Sequence, residues 1–176
     1  MKSTIDAGKN PAYIALGTNL GDRLQYLKQA LELLRQNAGI DITALSAIYE
    51  TAPVGGPDQG AFLNACAALK TALSPTKLLL EMLAIEDKLG RVRKERWGPR
   101  VIDLDLLIYD QVRMNTPLLG LPHPRLSERD FVLVPLADIA PALVIPGQNK
   151  KVAAILAARP LTEDVKLFLP AGWYSA

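Results

Sequence analysis

Residues 96–110 read R-W-G-P-R-V-I-D-L-D-L-L-I-Y-D. The first five form a basic loop stiffened by proline; the remainder has the pattern of a strand. Side chains alternate along a strand, so Ile102, Leu104, Leu106 and Ile108 share one face, while Val101, Asp103, Asp105 and Leu107 share the other. The first face is wholly apolar and must cover a core, which predicts a sheet strand over 101–109. The second face carries two carboxylates about 7 Å apart along the strand, close enough to serve one site.

Two carboxylates in a partly desolvated position repel each other and call for a compensating cation. Oxygen donors suit Mg²⁺, which takes further ligands from phosphate and water, and two such ions about 4 Å apart can share one site. Taken alone, the D-x-D pair also fits a solvated strand face paired with arginines. Its setting favours a phosphate site, because Arg91, Arg93, Lys94, Arg96 and Arg100 come just before it. A triphosphate needs cations for its oxygens and Mg²⁺ to bridge them. Trp97, in so polar a loop, reads either as a stacking lid or as an anchor onto the core.

Outward from this strand, A-Y-I-A-L-G (12–17) reads as a short buried strand, and residues 1–10 as loose polar chain. Leu20, Leu24, Leu27, Leu31 and Leu34 step by four and three, which predicts a helix stopped at Gly39. Residues 40–49 read as a second strand, 50–60 as a Pro/Gly loop and 61–72 as a third strand. Ser74-Pro75 reads as an N-cap and first helical position, with Leu78, Met82, Ile85 and Leu89 on the buried face and Gly90 as the stop. Residues 114–126 read as loop or edge strand. Residues 131–139 read as helical towards their end, with Pro135 early in that helix, and 148–158 as a short helix. The order β-α-β-β-α-β predicts an α+β sandwich, with helices packed on a mainly antiparallel sheet.

The bulk composition narrows the class. A chain of 176 residues suits one domain with its own core. Its net charge of +2, from 20 basic and 18 acidic residues, is too balanced for a typical nucleic-acid binder, so any basic surface is local. The single cysteine, Cys66, excludes an internal disulfide and reads as a buried, inert thiol. No apolar run reaches the roughly 20 residues of a membrane span, and a reducing cytoplasm is the expected compartment.

R-W-G-P-R-V-I-D-L-D-L-L closely resembles the signature of the 6-hydroxymethyl-7,8-dihydropterin pyrophosphokinases of folate biosynthesis. L-G-T-N-L-G-D-R (16–23), T-A-P-V-G (51–55), F-L-N (62–64), G-R-V-R (90–93) and P-H-P-R-L-S-E-R-D-F-V-L-V-P-L (122–136) are similar to further motifs of that family, in the same order. The resemblance implies a ferredoxin-like fold in a single catalytic domain and a Mg-dependent diphosphokinase. The β,γ-diphosphate of ATP, the co-substrate, would pass to the pterin hydroxymethyl oxygen and leave AMP.

On this resemblance Asp103 and Asp105 would hold two Mg²⁺, with Arg91 and Arg100 as catalytic phosphate contacts. Glu86, Arg93, Lys94, Arg96, Trp97, His123 and Arg129 would complete the ATP site. Thr51, Pro53, Val54, Phe62, Asn64 and Phe131, with Trp97 and Asp103, would hold the pterin. The phenylalanines would sandwich its ring and Asn64 would bind its polar edge. The expected partners are these small molecules alone: no nucleic acid, no membrane and no obligate protein. Two other readings remain, an RNA-binding α+β module and another D-x-D metal-dependent transferase.

Overall fold

A computed structural model describes residues 8–53, 58–90, 101–160 and 164–175. Strand β1 (Asn10–Thr18) leads into helix α1 (Arg23–Gln36), followed by β2 (Ile40–Leu45), β3 (Ile48–Thr51) and β4 (Phe62–Thr71). Helix α2 (Pro75–Lys88) and strand β5 (Asp103–Tyr109) complete the basic unit. A small hairpin of β6 (Met114–Asn115) and β7 (Gly120–Leu121), a 3-10 turn (Leu126–Glu128), α3 (Asp130–Ile139), α4 (Val152–Ala157) and β8 (Val165–Leu169) follow. The main sheet runs β5-β1-β4-β3-β8, with β2 also on β4, and every pairing is antiparallel. The fold is the expected α+β sandwich of ferredoxin-like type.

Local chemistry explains where the helices begin. The Asp22 carboxylate accepts from the Gln25 amide at 3.1 Å and opens α1. Ser74 does the same for Lys77 at 3.3 Å, with Pro75 in the first turn where its missing N–H costs nothing. The leucine periodicity buries Leu27, Leu31 and Leu34, whereas Leu20 precedes the helix and is exposed. Helix α1 ends before Gly39: Asn37 caps it, and the Asn37 side chain accepts from the Gly39 amide. Gly90 follows α2 with φ +87°, a conformation that favours glycine.

Four further features differ from the expectation or add to it. The segment 40–49 is two strands that part at Ser46, where one ladder bond to the Cys66 carbonyl remains, given by the Ser46 amide at 3.0 Å. The Ser46 hydroxyl accepts from the Cys66 amide while Trp173 Nε1 donates to the Ser46 carbonyl. Pro135 lies in the middle of α3, where it removes the bond that its N–H would give to the Phe131 carbonyl. The C-terminal residues add β8 as an edge strand beside β3, and Asn10, expected to be loose, already belongs to β1.

Alternation gives the sheet two covered faces. Ala12, Ile14, Leu16, Leu63, Ala65, Leu104 and Leu106 pack with α1 and α2 in one core. Cys66, Leu107, Val132, Leu133, Leu136 and Val152 form a second core on the other side, under α3 and α4. Ile108 belongs to this second core and not with Leu104 and Leu106, because the β1–β5 register slips between Tyr13 and Ile14. The slip turns Tyr109 inward to the first core. Asp103 and Asp105 lie on this second face and are half-buried, with Asp105 beside the N-cap of α3.

Candidate functional site

Register defines the floor of the site. Gly17 on β1 stands opposite Asp103 on one side and Asn64 on the other, and Ala15 stands between Asp105 and Cys66. Asp103, Gly17, Asn64 and Tyr49 therefore form one row across four strands, on the aspartate face. Neighbouring side chains approach Gly17 closely: a Cβ there would come 3.3 Å from Asn64 Oδ1 and 3.9 Å from Phe62. Glycine fits because the Asn64 amide and the Phe62 ring lie against it.

At one end of the row Asn64 is buried, and its Nδ2 donates to the Thr51 hydroxyl at 2.7 Å. This bond fixes which way the amide points and spends one donor, leaving the carbonyl and the second N–H for a planar partner. Phe62, at the start of β4, lies on the same face. Pro53 closes the described part of the adjoining loop. Two residues from the first strand–helix turn hold the far side of that loop. Asn19 Nδ2 donates to Gln59 Oε1 at 2.9 Å and to the Gly60 carbonyl at 3.1 Å. Arg23 donates to the Ala61 carbonyl at 2.9 Å and pairs with Glu50 at 2.7 Å.

At the other end, Asp103 and Asp105 are half-buried, and Arg129 Nη1 lies 3.9 Å from Asp105 Oδ2. The Arg129 guanidinium also sits over the Phe131 ring, 5.6 Å from its centre. Glu86 is buried on α2, and its Oε1 accepts from the Leu104 amide at 2.7 Å, on the backbone between the two aspartates. Strand β5 is thus fastened to α2 at the residue that separates the carboxylates.

His123 is placed by β5 as well. Its amide donates to the Leu107 carbonyl at 2.8 Å, just after a cis Leu121–Pro122 bond. Burial, and then the charge of Arg129, hold its imidazole down at about 4, with Asp103 opposing and Arg125 adding to the shift. At neutral pH the ring is uncharged. Its Nδ1 accepts from the Arg125 amide at 3.1 Å, so Nε2 carries the proton and is a donor.

The structure therefore places Thr51, Phe62, Asn64, Asp103 and Asp105 on one sheet face, with Arg129 beside Asp105 and over Phe131, His123 bonded to β5, and Glu86 holding β5 from α2. Arg91, Arg93, Lys94, Arg96, Trp97, Arg100 and Val54 lie outside the described residues. Cys66 is fully buried beside the Val132 carbonyl, and burial pushes its thiol up, as expected of an inert cysteine. Sequence reasoning missed Gly17, Asn19 and Arg23 as site residues. All three lie in the quoted L-G-T-N-L-G-D-R run, whose glycine and amide were the available signal.

The donor set fits Mg²⁺. Asp103 and Asp105 share one strand face and are both half-buried. Such a pair suits an ion that completes its shell with phosphate and water.

The architecture belongs to a known class of α+β domain. A crystal structure of wild-type Plasmodium falciparum HPPK-DHPS with pterin and p-hydroxybenzoate superposes with a TM-score of 0.68 at 18% identity, over 88% of this chain and 44% of that one. The triple-mutant structure with pterin and p-hydroxybenzoate gives 0.68 at 17% identity, over 89% and 45%. The chain thus spans less than half the length of those proteins and shares their fold. In sequence, the model of the 7,8-dihydro-6-hydroxymethylpterin-pyrophosphokinase family matches residues 13–141, and the chain belongs to that family. It is 53% identical to the 2-amino-4-hydroxy-6-hydroxymethyldihydropteridine pyrophosphokinase of Bacillus subtilis, over 74% of this chain and 78% of that protein. The enzyme of the same name from Methylorubrum extorquens is 51% identical, over 81% and 90%.

Proposed function

We propose that this chain transfers the β,γ-diphosphate of ATP to the hydroxymethyl group of 6-hydroxymethyl-7,8-dihydropterin, as one catalytic domain acting in a cytoplasmic folate pathway. The observation that carries this reading is the single row Asp103–Gly17–Asn64, which lines up a half-buried carboxylate with an amide oriented by Thr51, with glycine between them. Family membership favours it over an RNA-binding module and over another D-x-D transferase.

In this reading the pterin lies along the row. Asn64 binds its donor–acceptor edge, oriented by Thr51, while Phe62 and Phe131 supply apolar ring faces. The hydroxymethyl oxygen attacks the β-phosphorus of ATP. One P–O bond forms there, the bridging α–β P–O bond breaks with its electrons passing to AMP, and the hydroxyl proton is lost to solvent. Asp103 and Asp105 would hold Mg²⁺, two ions on the resemblance, and the metal would neutralise charge on the phosphate oxygens. Arg129 and the Nε2–H of His123 add donors on the same side, and Arg91 and Arg100 complete the phosphate contacts. Little covalent work falls to the protein: positioning and charge stabilisation supply the rate. The lid role of Trp97 and the nucleotide contacts of Arg93, Lys94 and Arg96 belong to the same proposal. Glu86 serves it by fixing β5.

Asp103→Ala and Asp105→Ala test the reading. Each is expected to lower turnover at least about a hundredfold while leaving the melting temperature within about 2 °C, since both side chains are partly exposed. Near-normal turnover in either variant contradicts the metal assignment.

A further inference from the structure

Arg159 lies beyond the residues that match the family model, in the segment after α4, yet it grips the turn that carries Arg129. Its Nε is 2.9 Å from Asp130 Oδ1, its Nη1 donates to the Ser127 carbonyl, and its Nη2 donates to the Glu128 carbonyl at 3.1 Å. The three partners flank Arg129 on both sides. Asp130 is completely buried, so its carboxylate depends on a nearby cation. A second tie comes from the same C-terminal region, where the Ser127 hydroxyl donates to Gln148 Oε1 at 2.9 Å.

We propose that Arg159 is a positioning residue for diphosphoryl transfer: by clamping Ser127, Glu128 and Asp130 it aims the Arg129 guanidinium at the phosphate end of the site. The clamp adds a long-range hold to a turn otherwise tied by the local Arg125–Glu128 pair at 3.4 Å and by its backbone bonds. Arg129 is the N-cap of α3 without a side-chain capping bond. From there its side chain must reach across to Asp105 while stacking over Phe131. A planar guanidinium can hold two carbonyl acceptors and pair with a carboxylate in one geometry, which an ammonium on a flexible stem cannot. Small misplacements of a phosphate-binding group are expensive in rate.

The inference rests on the reading of Arg129 as a phosphate ligand, so the test separates the two. Steady-state kcat/KM for Mg-ATP is measured for wild type, Arg159→Ala, Arg129→Ala and the double variant, at a temperature where circular dichroism shows each one folded. Arg159→Ala is expected to lose about tenfold in the wild-type background and less than about twofold in the Arg129→Ala background. A purely structural role lowers both backgrounds equally, and that result overturns the inference, as does an unchanged kcat/KM in folded Arg159→Ala. Should Arg159→Ala fail to fold, Arg159→Lys takes its place in the same cycle, with a smaller loss that again disappears without Arg129. An Arg129→Ala variant of normal activity contradicts the site reading itself, independently of Arg159.

Discussion

The Glu86 carboxylate accepts a hydrogen bond from the Leu104 amide at 2.7 Å, joining α2 to β5 between the two aspartates. Among the described residues no strand pairs with β5 on the side away from β1, so the Leu104 amide is held there by a side chain. Glu86→Ala leaves that buried amide without its acceptor, at a cost of about 1–3 kcal/mol. The expected result is a lower melting temperature together with reduced turnover. Glu86→Gln keeps an acceptor oxygen and should lose less of both. Equal stability in Glu86→Ala and wild type would show that the bond does not hold the strand.

Gly17 stands between the carboxylate and amide ends of the site. Gly17→Ala places a methyl group 3.3 Å from Asn64 Oδ1, so the amide must shift by a few tenths of an ångström. The expected consequence is a pterin KM raised by about threefold to tenfold, with stability nearly unchanged. Isothermal titration with a pterin analogue measures the same loss without turnover. Unchanged affinity contradicts the placement of the pterin edge at Asn64.

Thr51→Val removes the hydroxyl that orients Asn64 and leaves a buried N–H unpaired. Denaturant unfolding should show a loss of about 1–2 kcal/mol, with weaker pterin binding alongside it. A stability loss with intact pterin binding would assign the pair to the core alone.

His123 sets a pH dependence of stability. Its folded value of about 4 lies below the ordinary 6.5, so between these values the unfolded chain binds more protons than the folded one. Its contribution to stability is complete above about 6.5 and is lost as pH falls towards about 4. Burial and the neighbouring Arg129 and Arg125 charges act in this direction, and Asp103 acts against it. Thermal melts over this range should therefore be steeper in pH for wild type than for His123→Gln. Parallel curves would contradict the buried, neutral imidazole.

The strand parity that placed Asp103 and Asp105 on one face was legible from alternation alone, and the core-facing Ile102, Leu104 and Leu106 followed from it. Ile108 did not, because a register slip between β1 and β5 depends on how two strands meet and leaves no mark in either one's pattern. The helix starts at Asp22 and Ser74 have local chemistry and could be read, or nearly so. The break at Ser46 could not, since it is held by Cys66 and Trp173 from far along the chain. For the site, charged and aromatic side chains signalled themselves, whereas Gly17 contributes by having no side chain. The grip of Arg159 on the Arg129 turn arises from a contact across about thirty residues, and the C-terminal sequence gave no role for it.

The central claim is the reaction. The most direct measurement incubates the purified chain with Mg-ATP and 6-hydroxymethyl-7,8-dihydropterin and identifies both products by chromatography and mass spectrometry. The account predicts AMP and the pterin diphosphate in equal amounts, dependent on added Mg²⁺ and absent in Asp105→Ala. ADP with a monophosphorylated pterin, inorganic diphosphate, or no pterin product at all would contradict it.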